Sequence, residues 1–304
     1  MADAEPTREK VACEPAKRFV WPPLKPPESP PEPLGPRPRA LLGPDLQLGR
    51  TAGVVESVER VWLGLRRAPW NIRCSESGWQ PDTWDRYCPR CATSITASDT
   101  DRLESGDATG CTACRTKDLP WDRAVRLGEF EGLLRTAIHE VKFTKWRRLG
   151  TDLGTQLGFQ VLQALRAERA DLQRVVVAPV ASSVLRRLVR GIDHAAVLAR
   201  GVAQALGCPT VSLLTRSHRP SQVDLPPSSR AANVRGSFRP RPGALEGTPL
   251  IVLVDDVRTT GATLTAACRE IRRAQSRAGN GADCTIWTAV VAVTPQRANA
   301  GTGV

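Results

Sequence analysis

Two adjacent carboxylates, Asp255 and Asp256, stand just ahead of Thr259, Thr260, Gly261, Ala262 and Thr263. Ionised carboxylates only accept hydrogen bonds, so the acid pair suits the donor hydroxyls of a sugar and not a second anion. The threonines offer donors, Gly261 lets the backbone approach closely, and the first-turn amides of a following helix attract an anion. Acids and cup together fit a phosphorylated sugar. The plainer alternative is a buried strand with an acidic end and a threonine-rich helix cap.

A second constellation is Cys88-Pro89-Arg90-Cys91, nineteen residues, then Cys111-Thr112-Ala113-Cys114. Two CxxC turns at this separation form a tetrahedral site for Zn2+, and four thiolates leave no open position for water. Such a metal is structural. Cys74, alone upstream, reads as a leftover or buried thiol.

Three further groups could do chemistry. Ala181 and Ser182 end a buried strand, and Arg186, Arg187 and Arg190 follow them. Arginine gives forked donors to phosphate oxygens, so this loop is either a pyrophosphate seat or a cationic helix face. The polar, turn-rich stretch 216–233 is long for a connection and predicts a mobile lid carrying Gln222, Arg230 and Asn233. The run Lys142-Phe143-Thr144-Lys145-Trp146-Arg147-Arg148 is either a surface for nucleic-acid backbone and a stacked base, or a helix end with solvated charge. His139, His194 and His218 are scattered, and each reads as surface or structural.

The elements that must position these groups follow from periodicity. Apolar runs at 250–254, 174–180 and 283–294 read as strands buried on both faces, and shorter strands are expected at 211–214 and 234–238. Helical spacing predicts helices at 129–143, 153–165, 195–206 and 264–278, and a short amphipathic one over 54–65. Alternating strand and helix make this an α/β fold with a mainly parallel, Rossmann-like sheet, whose carboxyl edge binds ligands. Residues 1–50 hold 12 of the 25 prolines and read as a disordered tail. The expected division is 1–50 tail, 51–70 amphipathic helix, 74–120 zinc ribbon, 121–296 α/β body and 297–304 tail.

Nine cysteines with paired spacing point to a reducing compartment, and the absence of an apolar signal core to the cytoplasm. No run approaches a membrane span. A net charge of +12 with pI near 9.8 invites polyanions, either nucleic acid or phosphorylated metabolites, unless it is solvated surface.

The stretch from Leu250 to Thr263 resembles the phosphoribosyl pyrophosphate (PRPP) motif of type I phosphoribosyltransferases. That resemblance implies that Asp255 and Asp256 contact the ribose hydroxyls, with catalytic roles in a working enzyme, and that 259–263 cradles the 5′-phosphate. It also implies Mg2+ with the PRPP, and a pyrophosphate held by Ala181, Ser182, Arg186, Arg187 and Arg190. Arg258 occupies a variable position of the motif. Over roughly 88–294 the chain also resembles the ComF family, a zinc ribbon joined to a phosphoribosyltransferase-like body and linked to DNA uptake by competent bacteria. The matching pieces are Ile138-His139-Glu140-Val141-Lys142-Phe143, the strand end Val177-Ala178-Pro179-Val180, Arg190-Gly191 with Ala195, Ser221-Gln222-Val223-Asp224-Leu225, and Arg230, Asn233 and Phe238. The chain departs where it reads Arg190-Gly191-Ile192-Asp193-His194 in place of Arg-Gly-Phe-Asn-Gln, and where only one pair of knuckles remains. Three functions are compatible with this: a ComF-type PRPP-binding protein that handles incoming single-stranded DNA with the DNA-uptake machinery, a phosphoribosyltransferase of nucleotide salvage, and a PRPP-sensing adaptor without turnover.

Overall fold

The computed structural model describes residues 68, 70–104, 110–144, 146–183, 191–217, 236–242, 250–277 and 284–295. The expected tails, the 54–65 helix, the three arginines at 186, 187 and 190, and the lid residues Gln222, Arg230 and Asn233 lie outside them. Four parallel strands form the sheet, in the order β1 (Arg123–Glu129), β6 (Thr285–Val293), β5 (Leu250–Arg258) and β2 (Val175–Pro179). The central strands β5 and β6 are the unbroken apolar runs of the sequence, as burial on two faces requires. A separate antiparallel pair joins β3 (Leu214–Arg216) to β4 (Phe238–Pro240).

The helices are α1 (Trp70–Ser77), α2 (Ala97–Glu104), α3 (Gly132–Phe143), α4 (Arg147–Ala167), α5 (His194–Leu206) and α6 (Ala262–Arg277). Among the described residues, no helix is long and apolar enough to cross a membrane. Gly150, Gly154 and Gly158 recur every fourth residue of α4, and a Cβ at Gly154 would stand 2.2 Å from the Leu198 carbonyl oxygen of α5. Gly201 of α5 is equally close to the Thr151 carbonyl. The two helices therefore pack backbone to backbone, which fixes the N-terminus of α5, and with it His194, over the end of β5.

Several expectations need correction. β1 is absent from the periodicity reading because Arg123, Arg126 and Gly128 break its apolar run. Both arginines are buried even so, Arg123 over the Trp287 ring and Arg126 over Tyr87. The strand expected at 211–214 starts only at Leu214; Val211 instead donates its amide to the Val177 carbonyl. The strand expected at 234–238 begins at Phe238 and runs on to Pro240. Cys74 sits on α1, buried in the main core, and Trp70 on the same helix donates Nε1 to Gln156 of α4 at 2.8 Å. An ion pair of 2.7 Å from Arg73 to Glu140 also ties α1 to α3.

Candidate functional site

β5 runs on through the acid pair to Arg258, so the carboxylates stand within the strand and not past its end. Strand alternation takes Asp256 onto the face of Val252 and Val254, under α3 and α5. There one carboxylate oxygen meets Lys142 Nζ at 2.9 Å and His194 Nε2 at 3.0 Å. Its other oxygen accepts from the Val257 amide at 2.6 Å. Ile138, Val141, Leu153 and Leu198 surround the cluster of Lys142, His194 and Asp256 with apolar side chains, leaving only a narrow gap.

The two acids are not equivalent. Burial pushes the Asp255 carboxyl up, the charge of Asp256 adds to it, and the result is about 7. Burial also acts to raise Asp256, but the hydrogen bond from His194 and the charge of Lys142 outweigh it and hold that group at about 2. Among the described residues no cation reaches Asp255, whose Oδ1 accepts from the Asp256 amide at 2.9 Å. The pair thus combines a locked carboxylate with one that, among the described residues, has no direct ion pair.

The threonine loop follows directly. Thr259 and Thr260 are exposed, and Thr260 Oγ1 accepts from the Ala262 amide at 3.4 Å, capping α6. Gly261 has φ +78°, a left-handed conformation, and Ala262 and Thr263 open α6 half-buried. Ala181 and Ser182 follow β2 at the same edge, where Val180 donates to the Val254 carbonyl. Asp193, an acid in a segment read as lining a pyrophosphate seat, directs Oδ1 to the Ala196 amide and so caps α5.

The cysteines gather as their spacing predicted. The Sγ atoms of Cys88, Cys91, Cys111 and Cys114 all lie within 4.8 Å of one another and are buried. The separations for Cys88–Cys114, Cys91–Cys111 and Cys111–Cys114 are 3.8, 3.5 and 3.8 Å. These are far beyond a disulfide bond and match the roughly 3.8 Å edge of a tetrahedron with 2.3 Å zinc–sulfur bonds. Hydrogen bonding from Cys111 and Cys114 pulls the Cys91 thiol down, and the same contacts push Cys111 up, so four thiolates need a cation to coexist. The residues fit a structural zinc ion. Asp99 holds the second knuckle, accepting from the Thr112 amide and hydroxyl at 2.8 and 2.7 Å.

The knuckles also touch the end of β5 and the threonine loop. Arg258 donates to Thr93 Oγ1 at 2.6 Å, and Trp121 donates Nε1 to the Arg90 carbonyl at 2.8 Å. The Trp121 ring lies 3.6 Å from where a Gly261 side chain would begin. Arg126 reaches the Ala92 carbonyl at 3.0 Å and Asp82 at 2.7 Å. Sequence reasoning missed Lys142 and His194 as neighbours of the acids, and Arg258 as the tie to the knuckles. Lys142 had a signal, since it stands in the Ile138–Phe143 piece shared with the ComF family; His194 had none, because it falls where the chain departs from the family pattern. The basic run 142–148 is not one surface, for Trp146 is 1% exposed, Lys142 turns to Asp256 and Arg148 pairs with Asp152.

No protein-family model matches the chain. Among known proteins, it is 31% identical over 157 residues to DNA utilization protein YhgH of Salmonella typhimurium, covering 51% of this chain and 67% of that protein. The corresponding protein of Escherichia coli K12 is 28% identical over 205 residues, 66% of this chain and 84% of its own length. Competence protein F of Haemophilus influenzae is 26% identical over 166 residues, 54% of this chain and 72% of its own. With that identity over two thirds of the Salmonella protein, and with cysteine knuckles and acid pair in one fold, the chain belongs to the ComF family.

Proposed function

We propose that the chain binds PRPP at the carboxyl edge of its sheet and assists the handling of single-stranded DNA during uptake. The observation that carries the first half is the meeting of Lys142, His194 and Asp256 beside Asp255 and the 259–263 loop. Asp255, with no direct ion pair among the described residues, is the group with capacity for hydroxyl donors. The 5′-phosphate would rest on the amides and hydroxyls of 259–263. The pyrophosphate would fall to Ala181 and Ser182, which follow β2 at that edge, and its charge to the arginines at 186, 187 and 190, which lie outside the described residues. Magnesium arriving with PRPP would be held at the edge that carries Asp255, and would supply positive charge to offset the departing phosphates. In turnover Asp255 and Asp256 would offset the positive charge that grows at the sugar. The DNA half rests on the relatives named for DNA utilization and competence, and on the +12 charge.

Calorimetry with PRPP and magnesium tests the site: the parent binds, and Asp255→Ala with Asp256→Ala abolishes binding. A parent that does not bind removes the reading. One feature favours a second reading, binding without turnover. Asp256 is only 8% exposed and already engaged by Lys142 and His194, which limits what it can give a sugar. Release of pyrophosphate with a nucleobase acceptor would exclude that second reading.

A further inference from the structure

The outer face of α3 carries a row of rings that nothing in the site described above uses. Arg135, His139 and Phe143 recur every fourth residue and so share one helix face. Phe130, just before the helix, stacks on His139 with ring centres 6.0 Å apart and planes at 28°. His139 in turn meets Phe143 at 5.6 Å and 54°. The row ends on Phe143, which is 70% exposed.

Phe130 is half-buried and rests in part on the main core, but the rest of the face lies outside it. Leu134, Ala137, Ile138 and Val141 occupy the buried side of α3, while Gly132, Arg135, Thr136, His139 and Phe143 are exposed. Among the described residues, Arg135 makes no ion pair. Two acids flank Phe130 at that end of the row: Glu131, exposed at the N-cap of α3, and Glu129, which accepts from Ser94. A groove for a partner helix would be aliphatic, yet the exposed positions here are rings, a cation and small or polar residues.

We propose that Phe130, His139 and Phe143 form a stacking platform for unpaired bases of single-stranded DNA, with Arg135 meeting the phosphate backbone. Every base has a flat π-face, so such a platform is tolerant of sequence, as a protein that takes up arbitrary DNA requires. Duplex DNA keeps its bases stacked inside and cannot use it. Phe143 adjoins Lys142, which reaches Asp256, so strand and sugar site share one short helix.

The inference rests on the DNA-handling half of the proposed function. The test is fluorescence anisotropy of the full chain with a labelled oligo(dT) 20-mer and a duplex of equal length. Phe143→Ala should weaken the 20-mer roughly ten-fold, within the range of one stacked base, and leave the duplex unchanged. Its melting temperature should not move, because the ring packs on no core residue. Phe143→Trp should restore binding and gain fluorescence quenched by the oligonucleotide. Arg135→Ala should weaken binding with a smaller salt dependence than the parent. If the parent binds the 20-mer and Phe143→Ala binds equally, the platform alone is overturned; a parent that ignores the 20-mer removes the DNA reading as well. Equal loss on duplex would leave plain electrostatics and overturn stacking. A Phe143→Ala variant changed only in self-association or in PRPP affinity would assign the row to a protein interface or to the sugar site, and would also overturn the platform.

Discussion

The cysteine cluster and the acid pair are both knots of like-charged groups that folding removes from water, and they solve that problem in opposite ways. The thiols converge on one point, each side of the tetrahedron closed, and a single ion can satisfy all four. The acids are treated unequally: Lys142 and His194 close on Asp256, and no cation among the described residues reaches Asp255. A closed site with no spare capacity can only hold a structure together. An open one, with a carboxyl left near 7, retains binding energy for a ligand that brings its own donors or cation.

The largest effect expected is on the closed side. Cys91→Ser, or removal of metal by a chelator, should cost on the order of 5 kcal/mol or more, because metal binding is folding free energy in such a site. The loss should spread to the threonine loop, since Thr93 anchors Arg258 and Arg90 anchors Trp121. Hydrogen exchange across 255–263 would register this, and an unchanged loop would show that the two regions are independent. Next in size is Asp256→Ala, which leaves Lys142 and His194 facing each other without an anion. About 3–5 kcal/mol is usual for breaking one side of a buried pair. Thermal unfolding should show it, and restoration by the second change Lys142→Met would confirm that the unpaired lysine charge is the cause.

Asp255 should respond in the opposite sense. Its folded value of about 7 lies above the ordinary 3.8, so the folded state binds more protons between those limits. Its favourable contribution is complete below 3.8 and is lost as pH rises through 7. Asp255→Asn should therefore stabilise the protein above pH 8, on the order of 2 kcal/mol after solvent screening, and leave it unchanged near pH 4. PRPP binding by the parent should strengthen as pH rises through 7, and the Asn variant should lose that dependence. A parent less stable than the variant at pH 4 would reverse the assignment.

How much of this the sequence revealed depended on whether a feature was local. The knuckles, the acid pair, the threonine loop and the strand 250–254 are contiguous patterns, and each was legible. Buried arginines hid β1, because Arg123 and Arg126 owe their burial to rings and carbonyls brought from Trp287, Tyr87 and Ala92. The engagement of Asp256 by Lys142 and His194 joins residues more than fifty positions apart in each case, and no periodicity encodes it. Arg258 looked like a variable filler of the motif, and only the docked knuckle shows what its guanidinium meets.

The smallest predicted effect separates the two regions most cleanly, because each depends on a glycine for a different reason. At Gly110, φ +97°, a Cβ would stand 2.6 Å from Cys114 Sγ, so Gly110→Ala must displace a ligand of the closed site. At Gly261, φ +78°, the nearest atom to a Cβ is Trp121 Cη2 at 3.6 Å, an ordinary contact. Gly261→Ala therefore meets only the backbone cost of a left-handed alanine, about 1 kcal/mol, a fall of roughly 2–4 °C in melting temperature. If 259–263 is the phosphate cradle, that relaxation moves the amides and PRPP affinity should fall about ten-fold, more than stability alone accounts for. Equal small losses of stability and affinity would make Gly261 a turn residue only. Gly110→Ala should show the reverse pattern, with metal content falling first and affinity following.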